Sequence, residues 1–94
     1  MDYNNMVKVT INKKAEVVYI SNSFHDDFFN NDFVDIVLCY ISGNTIKHCT
    51  CSTLAGKDLS SMGIEVGKVV DAEFQVKYYK DPIYVSMING KEIH

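Results

Sequence analysis

From Val70 to Tyr78 the chain alternates without a break. Val70, Ala72, Phe74, Val76 and Tyr78 fall on one parity; Asp71, Glu73, Gln75 and Lys77 fall on the other. Successive side chains of a β-strand point to opposite faces, so this segment has one buried face and one wet face. Such a strand is not stable by itself and requires a sheet folded around a core. The rest of the chain supplies partners. Residues 7–11 alternate in the same way, and residues 15–20 are rich in β-branched side chains, which reads as one long bent strand interrupted at Asn12-Lys13-Lys14. Residues 34–41 are apolar except Asp35, Gly43-Asn44 suits a two-residue hairpin turn, and residues 46–53 return as the partner strand. Lys80-Asp81-Pro82 turns the chain into a last strand over 83–88, and Asn89-Gly90 opens a final turn before a short tail or edge addition at 91–94.

Two segments break the strand pattern. Residues 55–62 form the one helical candidate, ending at Gly63, where a helix C-terminus favours a left-handed residue. Residues 21–33, SNSFHDDFFNNDF, read as a long loop, and residues 1–6 as a frayed start. The expectation is a single all-β domain over residues 1–94: a small five-stranded, OB-like Greek-key barrel with one short helix between strands three and four. Closure would remove strand edges that an apolar chain exposes at a cost.

With 94 residues the chain builds one core. A domain of this size buries only about 60–65% of its unfolded surface, so a homo-oligomer is expected to help it. The nine basic residues are all Lys, against twelve Asp and Glu, for a net charge of −3. Phosphate neutralisation drives nucleic-acid affinity, and without Arg there is no bidentate recognition, so nucleic acid ranks low among partners. No apolar run approaches the roughly 18 residues of a membrane span, and MDYNNMVKV lacks the features of a signal peptide. A cytoplasmic location, no membrane partner and reduced thiols at Cys39, Cys49 and Cys51 are the expectation.

His48-Cys49-Thr50-Cys51 invites a metal reading, with Cys39 and His25 as further ligands. A hairpin closed at Gly43-Asn44 pairs residue i with residue 87 − i, which puts Cys49 and Cys51 on the face of Ile36 and Leu38 and puts Cys39 on the other face with His48. Three thiolates then cannot converge, Cys-x-Cys lacks the usual zinc spacing, and a native disulfide is disfavoured. Two buried core thiols are expected, with no metal site. Asp26, Asp27, Asn30 and Asp32 fit no EF-hand spacing. No nucleophile elbow or phosphate-cradling glycine loop occurs, and Cys39–His48 is read as a structural cross-strand pair. The protein is expected not to be an enzyme.

The 21–33 loop holds Phe24, Phe28, Phe29 and Phe33 among Asp26, Asp27 and Asp32. Exposed aromatic surface is costly, which leaves two readings. Phe24, Phe28 and Phe33 fold back to plug one barrel end, or the six residues Phe24, Asp26, Asp27, Phe28, Phe29 and Phe33 form a partner-binding anchor of an adaptor or inhibitor. Tyr78, Tyr79 and Tyr84 with Lys77 and Lys80 offer a third reading: Tyr79, Tyr84, Lys77 and Lys80 as a single-stranded nucleic-acid surface, with Tyr78 in the core.

Ser52-Thr53, the short helix to Met62-Gly63-Ile64, Gly67-Lys68 and the strand Val70-Asp71-Ala72-Glu73-Phe74 together resemble the Mop or TOBE family of molybdate-binding barrels. That family has a Ser or Thr pair, a short helix ending in Leu-Gly-Leu, a Gly-Lys or Gly-Asp step and an alternating strand. The resemblance spans residues 52–74, about a quarter of the chain. It implies an OB-like barrel that holds an oxyanion through hydroxyls, backbone amides and a lysine, often at subunit interfaces. Ser52 and Thr53 would be the hydroxyl donors; the family's lysine falls at Gln75, with Lys77 two residues on as the candidate cation. A molybdate-type oxyanion is the one small ligand so implied, and no cofactor is otherwise expected.

Overall fold

A computed structural model describes residues 8–77 and 81–93. The expected positions of residues 1–7, Tyr78, Tyr79, Lys80 and His94 lie outside the described residues. The chain is all-β, in one antiparallel sheet: β1 (Lys8–Ile20), β2 (Phe24–Asp26), β3 (Asn31–Ser42), β4 (Thr45–Leu54), β5 (Val69–Lys77), β6 (Pro82–Ile88) and β7 (Lys91–Glu92). β3 pairs with β4 along one edge and with β1 and then β2 along the other, and from β1 the order runs on through β5, β6 and β7. Among the described residues no helix is long and apolar enough to cross a membrane.

β1 organises the sheet. Its 13 residues run without interruption through Asn12-Lys13-Lys14. From Lys8 to Glu16 it pairs with β5, and from Glu16 to Ile20 it pairs with β3. Beyond Glu16 its free side is still satisfied: the Val17 amide donates to the Lys68 carbonyl (2.9 Å) and the Val17 carbonyl accepts the Gly67 amide (2.8 Å). A strand that changes partner midway bends the sheet and brings its apolar faces together. Val17, Ile36, Leu38, Phe74, Val85 and Ile88 are fully buried where they meet.

The alternating segment behaves as its pattern requires. Val70, Ala72, Phe74 and Val76 are all buried in β5, and the intervening residues are not. The β3–β4 register is the expected one, with Leu38 opposite Cys49, Ile36 opposite Cys51 and Cys39 opposite His48. Cys49 and Cys51 are core residues.

Three expectations are corrected. The first is closure and strand count: among the described residues the sheet has seven strands and is open. β4 and β6 lie side by side, yet among the described residues no ladder joins them. Side chains bridge the seam at both ends. Thr53 Oγ1 donates to the Ile93 carbonyl (2.6 Å), where Lys57 Nζ also donates (3.2 Å), and Lys47 Nζ meets Asp81 Oδ1 (2.5 Å) at the other end. The two additional strands are short. β2 arises within the segment read as loop, and β7 forms because Asn89 and Gly90 both adopt positive φ (51° and 78°), the requirement of a tight hairpin turn.

The second correction is the helix. In place of an α-helix over 55–62 there is a three-residue 3-10 turn, Ser60–Met62. The Lys57 amide bonds Leu54 O in a turn of its own, and Asp58 Oδ1 accepts the Ser61 amide, so helical geometry begins only after Asp58. Gly63 does adopt the left-handed conformation (φ 78°), and a Cβ there would lie 2.9 Å from Asn89 Nδ2. Asn89 needs that space: it donates to Met62 O (2.9 Å) and accepts the Asp71 amide (3.0 Å), tying the 3-10 turn to β5 and β6.

The third concerns what plugs the core. Ile64 and Ile93 are buried to 1% and 0% exposure, with Leu59 and Met62 packed against the core; the loop phenylalanines do not plug it. Ile93→Ala is therefore expected to lower the unfolding free energy by about 2–5 kcal/mol, the range for truncating a fully buried isoleucine. Urea denaturation measures this; a loss under about 1 kcal/mol would show that the C-terminal turn is not part of the seam.

Candidate functional site

The segment 21–33 is a hairpin, not an irregular loop. β2 continues in line with β1 along the same edge of β3. Two one-residue register shifts separate them, the first between Val17 and Tyr19 and the second before Phe24. Extra residues of this kind increase local twist and re-aim the strand. At the second shift Ser21 keeps the ladder intact: its amide donates to Asp35 O (2.9 Å) and its hydroxyl accepts the Asp35 amide (2.8 Å). Phe24, His25 and Asp26 then pair with Phe33, Asp32 and Asn31. Asp26 Oδ1 accepts the Phe29 amide (3.0 Å), and Asn30 takes the left-handed conformation (φ 51°), which closes the turn. On the far side of β3, β4 reaches only to Leu54, opposite Phe33, with one further bond from the Ala55 amide to Asp32 O (3.0 Å). The tip is thus an ordered two-stranded arm.

Its aromatic rings form a chain. Phe24 and Phe33 have centroids 6.5 Å apart, Phe33 and Phe29 are 6.0 Å apart edge to face, and Phe29 and Phe28 are 4.8 Å apart in a T. These are favourable ring geometries, yet Phe28 is 80% exposed and Phe29 70%. Cross-strand pairing extends the apolar strip from Phe24 through Phe33 to Leu54. Carboxylates surround it. Asp27 is fully exposed, 3.7 Å from His25 Nε2, and Asp32 Oδ1 lies 2.9 Å from His25 Nδ1.

Ser52, Thr53 and Lys77 are not brought together. Adjacent residues of β4 point to opposite faces, so Thr53 is buried with its hydroxyl given to Ile93 O, and Ser52 is exposed with its hydroxyl given to Asp35 Oδ1 (2.5 Å). A carboxylate beside Ser52 repels an oxyanion. Lys77 pairs with Lys8 at one end of β1, and Asp35 lies beside Ile36, which pairs with Ile20 at the other. Tyr84 is partly exposed on β6, and its proposed companions Tyr79 and Lys80 lie outside the described residues.

No group of three or more His, Cys, Asp or Glu is arranged to hold a metal ion among the described residues. Burial raises both core thiols: Cys49 upward, and Cys51 to about 12, with Cys49 and Asp35 adding to the desolvation. Such thiols stay protonated at neutral pH and are poor nucleophiles. Tyr40, buried against Phe74 at 4.6 Å, is also raised, chiefly by burial and then by Cys49 and Asp81. The composition of the aromatic hairpin was visible in the sequence; its order was not. The available signal was the pairing of Phe24 with Phe33 about a turn rich in Asp and Asn.

No protein-family model, curated protein or solved structure matches this chain.

The raised Cys51 thiol has a consequence for stability. Its ordinary value is 9.0, so above pH 9 the unfolded chain releases a proton that the folded core retains. The stability contributed by the buried neutral thiol is complete below pH 9 and declines towards pH 12, by up to about 1.4 kcal/mol per pH unit. Urea midpoints from pH 8 to 11, compared with Cys51→Ala, are expected to fall more steeply in the native protein. Parallel profiles would contradict this.

Proposed function

We propose that this protein is a binding module without catalysis of its own, and that it engages a protein partner through the hairpin of Phe24, Phe28, Phe29 and Phe33. The observation that carries this reading is the exposure of Phe28 and Phe29 on an arm whose backbone is fully specified by its turn and ladder. Exposed rings on a structured element lose little conformational freedom when covered, and covering both is worth about 3–6 kcal/mol. Aromatic anchors ringed by polar groups are the usual anatomy of an interaction hot spot.

The fold bears on where such a module binds, not on what it binds. We read the order β4-β3-β1-β5-β6, with β4 beside β6, as an open variant of the OB-like strand order, with short β2 and β7 added and the last seam bridged by side chains. In that architecture ligands, oligonucleotides and oligosaccharides among them, bind on the face of the second and third strands and on the loops before the second and the fifth. Here the second and third strands and the loop before the second are β3, β4 and the aromatic hairpin.

Phe28→Ser/Phe29→Ser is expected to change unfolding free energy by no more than about 0.5 kcal/mol, since neither ring is in the core. It should also abolish partner capture from the native cell, read by mass spectrometry against the unmodified protein. Unfolding of the double variant, or an unchanged set of captured proteins, would overturn the reading.

A further inference from the structure

The charges of this chain are segregated. No Lys or Arg occurs between Lys14 and Lys47, and that stretch contains Glu16, Asp26, Asp27, Asp32 and Asp35. It covers the second half of β1, all of β2 and all of β3, hence the whole arm. Of the flanking lysines, Lys14 is paired with Asp71 and Lys47 with Asp81, and Lys57 bonds the Ile93 carbonyl. Lys13 is exposed and lies opposite Ala72, on the half of β1 that pairs with β5 rather than β3. At the tip, Asp26 and Asp32 each use one carboxylate oxygen internally, for the Phe29 amide and for His25, and each keeps a second acceptor; Asp27 is fully exposed.

The geometry points to a partner of defined chemistry: a protein surface presenting Lys or Arg around apolar side chains. The apolar groups cover Phe28 and Phe29, and the cations reach Asp26, Asp27 and Asp32. This rests on the reading of the hairpin as a protein-binding arm and adds the sign of the partner's charge. An acidic collar around exposed rings repels anionic lipid and nucleic-acid phosphate. A second copy docked tip to tip would place collar against collar, since a two-fold contact apposes the same patch from both subunits. A cationic partner turns that repulsion into attraction, and like-charge rejection of acidic partners supplies specificity.

A random-peptide display selection against the full chain, with counter-selection on Phe28→Ser/Phe29→Ser, tests this. Enriched peptides are expected to carry net positive charge interspersed with apolar residues. Their binding should weaken by about tenfold between about 50 and 300 mM NaCl, and by a similar factor in Asp27→Lys at low salt. Enrichment of ring-dependent peptides that are neutral or acidic would overturn the charge assignment and leave the protein-binding reading standing. Recovery of no ring-dependent peptide would overturn both. Ring-dependent self-association in sedimentation, or ring-dependent binding to phosphatidylserine vesicles, would replace the basic partner with a second copy or a membrane.

Discussion

Everything in this molecule depends on β1 changing partner at Glu16. One side of the strand is hydrogen-bonded to β5 as far as Glu16, and the other side is bonded to β3 from Glu16 onward. The turn at Gly67-Lys68 takes up the backbone groups of Val17 that the switch would otherwise leave open. An unpaired buried amide or carbonyl costs as much as a lost hydrogen bond, so this handover is what makes the bend tolerable. Because of the bend, the apolar face of β3 and β4 meets the apolar face of β5 and β6 in one core.

The same bend brings β4 to β6, where the backbone ladder stops. Among the described residues the gap is spanned by Thr53 and Lys57 on the Ile93 carbonyl and by Lys47 on Asp81. The two ends of the seam differ physically. The Thr53 bond is buried, and its loss would strand a polar group in the core, whereas Asp81 is exposed and its ion pair is screened by solvent. Ile93 combines both roles at the buried end, with its side chain in the core and its carbonyl holding the seam.

The aromatic hairpin is the continuation of β1 beyond the core. Ser21 carries the ladder across a register shift, so the chain leaves the sheet as an ordered two-stranded arm. The exposed rings have each other as neighbours, and the carboxylates around them keep the tip hydrated. Bound to a partner, the arm would bring preformed apolar surface to the interface at small entropic cost.

Much of the strand framework was legible in the sequence. The strict alternation over 70–76 decides which face of β5 is buried, and Gly43 with Asn44 sets the β3–β4 register, because both are local rules of backbone geometry acting on side-chain type. Gly63 marked its left-handed position for the same reason. What the pattern of side-chain types could not supply was decided by particular hydrogen bonds and pairings. Asp58 and Asn89 shortened the expected helix to one 3-10 turn; the distant Ile93 carbonyl took up the Thr53 hydroxyl at the seam; and pairing with β3 drew residues 24–26 out of an apparent loop into β2. The bonds of Asn89 and Ile93 reach across 27 and 40 residues of chain, and those of Asp58 and β2 depend on which of several local conformations the fold selects; a periodic pattern records which way a side chain faces but not which group it meets.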